Sequence, residues 1–148
     1  MSNQNTVTNS FDPPWWLANH HLQSSLGSVP PRQTWVRWLE RDFVARSRPV
    51  VVECGDGVRL LAHENQPAGE ANGELVVFIH GWEGSANSSY LLSTAPFLAR
   101  QGYRVIRLNL RDHGDSHHLN ENLFHSCRLP EVVGAVKSLQ TANPETPL

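Results

Sequence analysis

Leu75-Val76-Val77-Phe78-Ile79-His80-Gly81-Trp82-Glu83-Gly84 is the stretch that decides the fold. Its first five residues are apolar without a break, with β-branched and aromatic side chains among them. That is the pattern of a strand buried on both faces. A His-Gly pair follows at once, then Glu83-Gly84-Ser85-Ala86-Asn87, which is turn and helix-cap chemistry. A strand, a tight glycine turn and a helix start are the parts required to aim a backbone N–H at an anion. The same string also fits a plain strand-to-helix connection in any α/β protein, so the flanking segments must decide.

Upstream, Pro49-Val50-Val51-Val52-Glu53-Cys54 and Val58-Arg59-Leu60-Leu61-Ala62-His63-Glu64 are strand candidates. Gly55-Asp56-Gly57 between them is a strong hairpin signal. Residues 66–73 are a surface loop. Downstream, Asn87 and Ser88 can cap a helix running to Gln101. Pro96 either kinks that helix or lies in its first turn, with a start near Thr94. Gly102 ends it as a left-handed cap. Tyr103 to Leu110 is the next strand, and strand-helix-strand makes a βαβ unit with parallel pairing. The loop Arg111-Asp112-His113-Gly114-Asp115-Ser116-His117-His118 is dense in titratable groups. Leu129, Val132, Val133, Val136 and Leu139 then mark an amphipathic helix, with Pro130 in its first turn and Asn143-Pro144 as its stop. Thr146-Pro147-Leu148 reads as the approach to another strand.

The N-terminal part carries weaker signals. Residues 1–12 read as a disordered tail and 13–148 as the folded part. Trp15, Trp16 and Leu17 suggest a segment packed on a core. Residues 24–34 are small, proline-rich and linker-like, and Trp35 to Glu40 is amphipathic but short. Adjacent histidines point apart on a helix or strand, so His20-His21 is a poor metal site.

A chain of 148 residues, 39% apolar and 18% charged, suits one globular domain rather than a disordered segment. The net charge of -2, without a run of basic residues, argues against nucleic acid or an anionic membrane as the main partner. No apolar run approaches the roughly 18 residues of a membrane helix, and Met1 to Ser10 lacks the basic and apolar parts of a signal peptide. Cys54 and Cys127 are far apart with no CxxC, which fits two reduced thiols in a cytoplasmic protein.

Four pieces, in order, carry a family resemblance: His21-Leu22-Gln23-Ser24, His80-Gly81-Trp82-Glu83-Gly84-Ser85, Asn109 to Ser116, and Phe124-His125-Ser126. With the hairpin, strand, helix, strand and helix between them, the chain from about residue 13 onward resembles the N-terminal half of an α/β-hydrolase. More finely, it resembles the YheT-like branch of esterases and lipases. The implied fold is a three-layer α/β/α sandwich, incomplete, with an N-terminal β-hairpin followed by parallel strands and crossover helices. Two places depart from the family pattern. Asp112 follows Arg111 where many relatives have glycine, and Cys127 follows Ser126 where many have glycine again. Glycine takes positive φ far more readily than either replacement.

The resemblance implies a site. The N–H of Trp82 is the expected oxyanion-hole donor, with His80 and Gly81 shaping the turn. Relatives carry the nucleophile in a Gly-x-Ser-x-Gly elbow after the fifth strand, with the acid and the histidine later still. No Gly-x-Ser-x-Gly occurs here, so the catalytic Ser, Asp and His are expected after Leu148, and the chain reads as a fragment that is inactive alone. The loop residues Asp112, His113, Asp115 and Ser116, and the pairs Ser85 or Ser88 with His80, are a poor substitute triad, because a nucleophile needs an oriented base at about 3 Å. Asp112 and Asp115 are expected to hold loop backbone, and Arg111 to bind a carboxylate or a carbonyl. The implied activity of the intact parent is serine hydrolysis of small-molecule or lipid esters, with no cofactor, no metal and no nucleic acid. The alternative is a non-catalytic binding or assembly module on a hydrolase scaffold. In the family's strand order, Leu75–Ile79 would be left as an open edge, apolar on both faces and prone to self-association.

Overall fold

The computed structural model describes residues 12–28 and 30–148; the expected tail at residues 1–11 lies outside them. Residues 48–65 form the expected hairpin. β1 (Arg48–Glu53) and β2 (Arg59–Asn65) pair antiparallel, with Val51 opposite Leu61. All three turn residues, Gly55, Asp56 and Gly57, have positive φ, which explains the glycines on either side of the aspartate. β3 (Leu75–Ile79) is the decisive stretch of the sequence, and it lies parallel to β4 (Arg104–Leu108) with Val77 opposite Ile106. β4 also pairs antiparallel with β2, so the sheet order is β1-β2-β4-β3 and β3 is an edge.

Helices cover both faces of this sheet. α3 (Arg41–Ala45) and α4 (Ser89–Arg100) lie on one side, where Phe43, Ala95 and Ala99 meet Val105. α5 (Leu129–Ala142) lies on the other, where Ala135 and Leu139 meet Val52, Leu60, Ala62, Leu75, Ile106 and Leu108. Alternation along β4 explains the split: Val105 faces α4, whereas Ile106 and Leu108 face α5. The result is an α/β/α arrangement around a mixed four-stranded sheet.

Several expectations are corrected. Residues 24–34 are not a linker. Residues 24–28 fall in α1 (His20–Ser28) and residues 30–34 in α2 (Pro30–Leu39), and the two prolines occupy the first turn of α2, where a missing N–H costs nothing. Trp15 is 88% exposed and Trp16 55%, so neither packs on the core. α4 starts at Ser89, so of the two placements left open for Pro96 it is the one inside the helix that holds. Ser88 does not cap α4 with its side chain; its Oγ instead accepts the Ser85 N–H at 2.9 Å. Thr146-Pro147-Leu148, expected as the approach to a strand, forms no strand of its own, and the Pro147 carbonyl accepts the Leu75 N–H beside β3 at 3.0 Å.

Candidate active site

The turn after β3 begins with His80, which is only 4% exposed. Its Nε2 lies 3.0 Å from the Leu110 N–H. A backbone N–H can only donate, so Nε2 carries a lone pair and the ring proton sits on Nδ1. Nδ1 then donates to the Gly81 carbonyl at 2.8 Å. Burial pushes His80 below its ordinary pKa, and the neighbouring His113 adds to this, against a smaller upward pull from the bond to Gly81. The imidazole is thus a neutral bridge between the two loops that follow the parallel strands.

The Gly81 carbonyl also accepts the Gly84 N–H at 3.0 Å, and the Gly81 N–H donates to Tyr90 Oη at 2.6 Å. The peptide joining Gly81 to Trp82 is trans, so its N–H points opposite to its carbonyl. Two donors hold the carbonyl inward. The Trp82 N–H on the other side makes no hydrogen bond among the described residues. Glu83 completes the turn with φ of +50°, and a Cβ on Gly84 would lie 2.9 Å from Ser88 Oγ and 3.0 Å from the Gly81 carbonyl oxygen. The glycine is therefore required by the closeness of the turn.

A floor lies beneath this loop. The Ala86 N–H donates to Asn109 Oδ1 at 2.7 Å, and the Ala86 carbonyl accepts from Arg107 Nη1 at 2.8 Å. Arg107 is fully buried on β4. Its second terminal nitrogen reaches Ser47 Oγ at 2.6 Å and Asn65 Oδ1 at 3.4 Å, and its guanidinium lies 5.2 Å from the Phe43 ring centroid. It has no carboxylate partner among the described residues, and burial lowers its pKa to about 10, still far above neutral pH. Sequence reasoning missed Arg107, Tyr90 and the role of Asn109.

The loop after β4 is fastened to α5. Arg111 is nearly buried and grips the Glu131 carboxylate through Nε at 3.1 Å and Nη2 at 2.8 Å; Arg128 adds a bond at 2.9 Å. Burial of Glu131 works against its ionisation, yet the two arginines outweigh it and hold the carboxyl below its ordinary pKa. The expectation that Arg111 binds a carboxylate is met. Asp112 takes φ of +61°, the left-handed region that glycine adopts most readily, while Cys127 does not adopt positive φ. The side chain of Asp112 pairs with His117 rather than with loop backbone, which corrects the expected role. Ser116 Oγ donates to the His113 carbonyl at 2.7 Å, and Ser85 Oγ accepts the Asn87 N–H at 3.2 Å. Neither hydroxyl bonds a histidine ring, so these residues form no triad.

Trp82, Glu83, Asp112 and His113 line one side of a recess of about 870 Å³, and Gln33 and Arg37 of α2 line the other. Among the described residues no group of three or more His, Cys, Asp or Glu is gathered to hold a metal ion; His20 and His21, expected to point apart, instead bring their rings together, with centroids 4.1 Å apart and planes tilted by 46°. No described helix is long and apolar enough to cross a membrane.

With this geometry in place, the chain can be compared with known proteins. A family model described as the α/β hydrolase fold matches residues 74–147. The chain therefore belongs to the α/β-hydrolase fold family. It is structurally similar to an esterase from Pyrococcus furiosus, with 22% identity, a TM-score of 0.58 and coverage of 73% of this chain and 41% of that one. It is also similar to an α/β serine hydrolase homologue from Coxiella burnetii, with 17% identity, a TM-score of 0.54 and coverage of 67% and 48%. A serine hydrolase without a lid from Xanthomonas campestris gives 17% identity, a TM-score of 0.51 and coverage of 68% and 47%. At these identities the likeness establishes the fold alone, and the chain spans less than half the length of each of these structures. No curated protein sequence matches the chain.

Proposed function

We propose that this chain supplies the oxyanion-hole half of a serine hydrolase acting on carboxylic esters, of the YheT-like esterase and lipase kind. The observation that carries the reading is the Gly81-Trp82 peptide. Its carbonyl is held by His80 and Gly84, and its N–H is left unengaged at the end of a parallel strand, beside a recess. A donor fixed before the reaction costs no reorganisation when negative charge develops on an acyl oxygen, and losing one such donor typically costs about a hundredfold or more in rate. The nucleophile, its base and the acid come from outside these 148 residues, because no serine of the two loops meets a histidine ring.

The test is a fluorophosphonate probe. A polypeptide extended past Leu148 to include a Gly-x-Ser-x-Gly elbow should be labelled, and residues 1–148 alone should not. Labelling of residues 1–148 would overturn the assignment of the nucleophile. An extended polypeptide that has the scaffold but no elbow serine would favour the non-catalytic module.

A further inference from the structure

The recess beside Trp82 is polar almost throughout. Among the described residues that line its volume of about 870 Å³ there is no Val, Leu, Ile, Met or Phe, and the apolar surface is limited to the rings of Trp82 and Tyr90. An acyl chain is held by leaving water for apolar walls, and these walls give it little. A group that accepts hydrogen bonds and carries charge is the better fit.

Charge is divided across the recess by sign. Arg32 and Arg37 line the wall formed by α2, whereas Glu83 and Asp112 line the wall formed by the loops after β3 and β4. Gln33 and Arg37 stand at i and i+4, so they share one side of α2, away from the exposed Trp35 and Trp38. Arg37 makes no hydrogen bond and no ion pair among the described residues. Its planar guanidinium can take a carboxylate or a phosphate through two parallel hydrogen bonds. On the loop wall, the Asp112 carboxylate is engaged by His117, and Glu83 makes no ion pair among the described residues. The Glu83 charge repels a ligand's negative group from the loop wall and so favours its seat on α2. The Trp82 N–H, unengaged on the loop wall, is left for a neutral carbonyl.

We propose that the ester accepted by this site carries an anionic group, a phosphate or a carboxylate, and that Arg37, with Arg32 beside it, binds that group on the α2 wall while the ester carbonyl faces Trp82. In naming the ligand an ester the inference rests on the hydrolase reading; binding of the anionic group is measurable without it. Arg37 is then a specificity-determining residue, and the part of the substrate that this chain holds is polar rather than an acyl chain.

The experiment is calorimetric titration of the 148-residue chain with glycerol 3-phosphate, monomethyl succinate and dihexanoylphosphatidic acid, with glycerol as the neutral control. At least one anionic probe should bind saturably, glycerol should not, and binding should weaken with salt. Arg37→Glu should bind at least about tenfold more weakly. Arg37→Lys should keep part of the affinity, because a point charge remains, and Glu83→Gln should bind more tightly than the parent chain. All three change exposed side chains, and an unchanged circular-dichroism melt should confirm their fold. Tighter binding of dihexanoylphosphatidic acid than of glycerol 3-phosphate would assign the anionic group to a lipid headgroup, and equal or weaker binding to a soluble ester. Absence of binding by every anionic probe, or Arg37→Glu binding as the parent does, would overturn the proposal even where fluorophosphonate labels the extended polypeptide. Anion binding without that labelling would instead overturn the ester and leave the anion site.

Discussion

The ring of His80 accepts the Leu110 N–H through Nε2 at 3.0 Å, so one neutral imidazole ties the turn after β3 to the loop after β4. Protonation would put a hydrogen on that nitrogen and break the bond. Burial and the nearby His113 already hold His80 below its ordinary pKa of 6.5. His63 is lowered too, chiefly by burial and then by Arg107. In the unfolded chain both groups take up protons at higher pH than in the folded one. Their contribution to stability is therefore complete above about pH 6.5 and is lost as pH falls through the folded-state values. Urea unfolding between pH 8 and pH 5 should show stability declining on the acid side, and His63→Gln/His80→Gln should flatten the decline. At pH 8, His80→Ala should cost about 1–3 kcal/mol, because the partly buried Leu110 N–H loses its acceptor. An unchanged pH slope in the double variant would defeat this account.

Arg107 gives the second prediction. Its guanidinium is dehydrated and has no acid beside it, which is costly, yet it is the common donor for Ser47, Asn65, Ala86 and Asn87. Those acceptors belong to the segment after α3, the end of β2 and the floor of the turn after β3. Arg107→Met keeps most of the volume, removes the buried charge and leaves the acceptors without their donor. The second effect should win by about 2 kcal/mol or more, read as a lower urea midpoint. Arg107→Met as stable as the parent chain would mean that this network holds nothing.

How much of this was legible beforehand depended on how local each signal is. The stretch from Leu75 to Gly84, the hairpin turn at Gly55-Asp56-Gly57 and the apolar spacing of α5 are each written within about a dozen residues, and each was readable. α1 and α2 were not, because their apolar residues span little more than a turn in each helix and are mostly exposed, and Pro30-Pro31 reads as a breaker unless the helix start is known. Arg107 sits between Ile106 and Leu108, where strand alternation suggests a solvent-facing side chain. Residues of the β3 loop and of α3, far away in sequence, cover it. Tyr90 looked like one more apolar residue of a helix, and only the folded turn shows its hydroxyl on the Gly81 N–H. The Asp112–His117 pair was likewise invisible, because the left-handed backbone at Asp112 decides where its carboxylate points.

Gly134 gives the third prediction, where two effects have opposite sign. In the interior of α5, alanine is the better helix former by about 1 kcal/mol. However, a Cβ at this position would lie 1.9 Å from the Cys54 carbonyl oxygen and 2.7 Å from its carbon. Both are backbone atoms at the end of β1 and cannot swing aside, so α5 would have to lift from the sheet over Ala135 and Leu139. Gly134→Ala should therefore destabilise by about 1–3 kcal/mol, measured by thermal melting. A rise in melting temperature would show that the helix repositions freely and that the contact with β1 is loose.

The outer edge of β3 sets the last prediction. β3 ends the sheet order, and its other side pairs with no strand among the described residues. Leu75 and Val77 point into the core beneath α5, Phe78 packs toward α4, and Ile79 is 42% exposed at the rim. An open edge with apolar side chains on both faces is a template for pairing with another such edge, and a lysine there opposes that pairing by charge and desolvation. Residues 1–148 should therefore elute as self-associated species in size exclusion with light scattering, increasingly so with concentration. Ile79→Lys should shift the distribution toward monomer while leaving the hairpin and α5 intact. Trp35→Ala/Trp38→Ala, which alters exposed side chains of α2 and not the β3 edge, should leave the distribution unchanged. A monodisperse monomer with one cooperative melt at all concentrations would show that the edge is protected, and self-association lost on tryptophan substitution but kept with Ile79→Lys would place the contact on α2 instead.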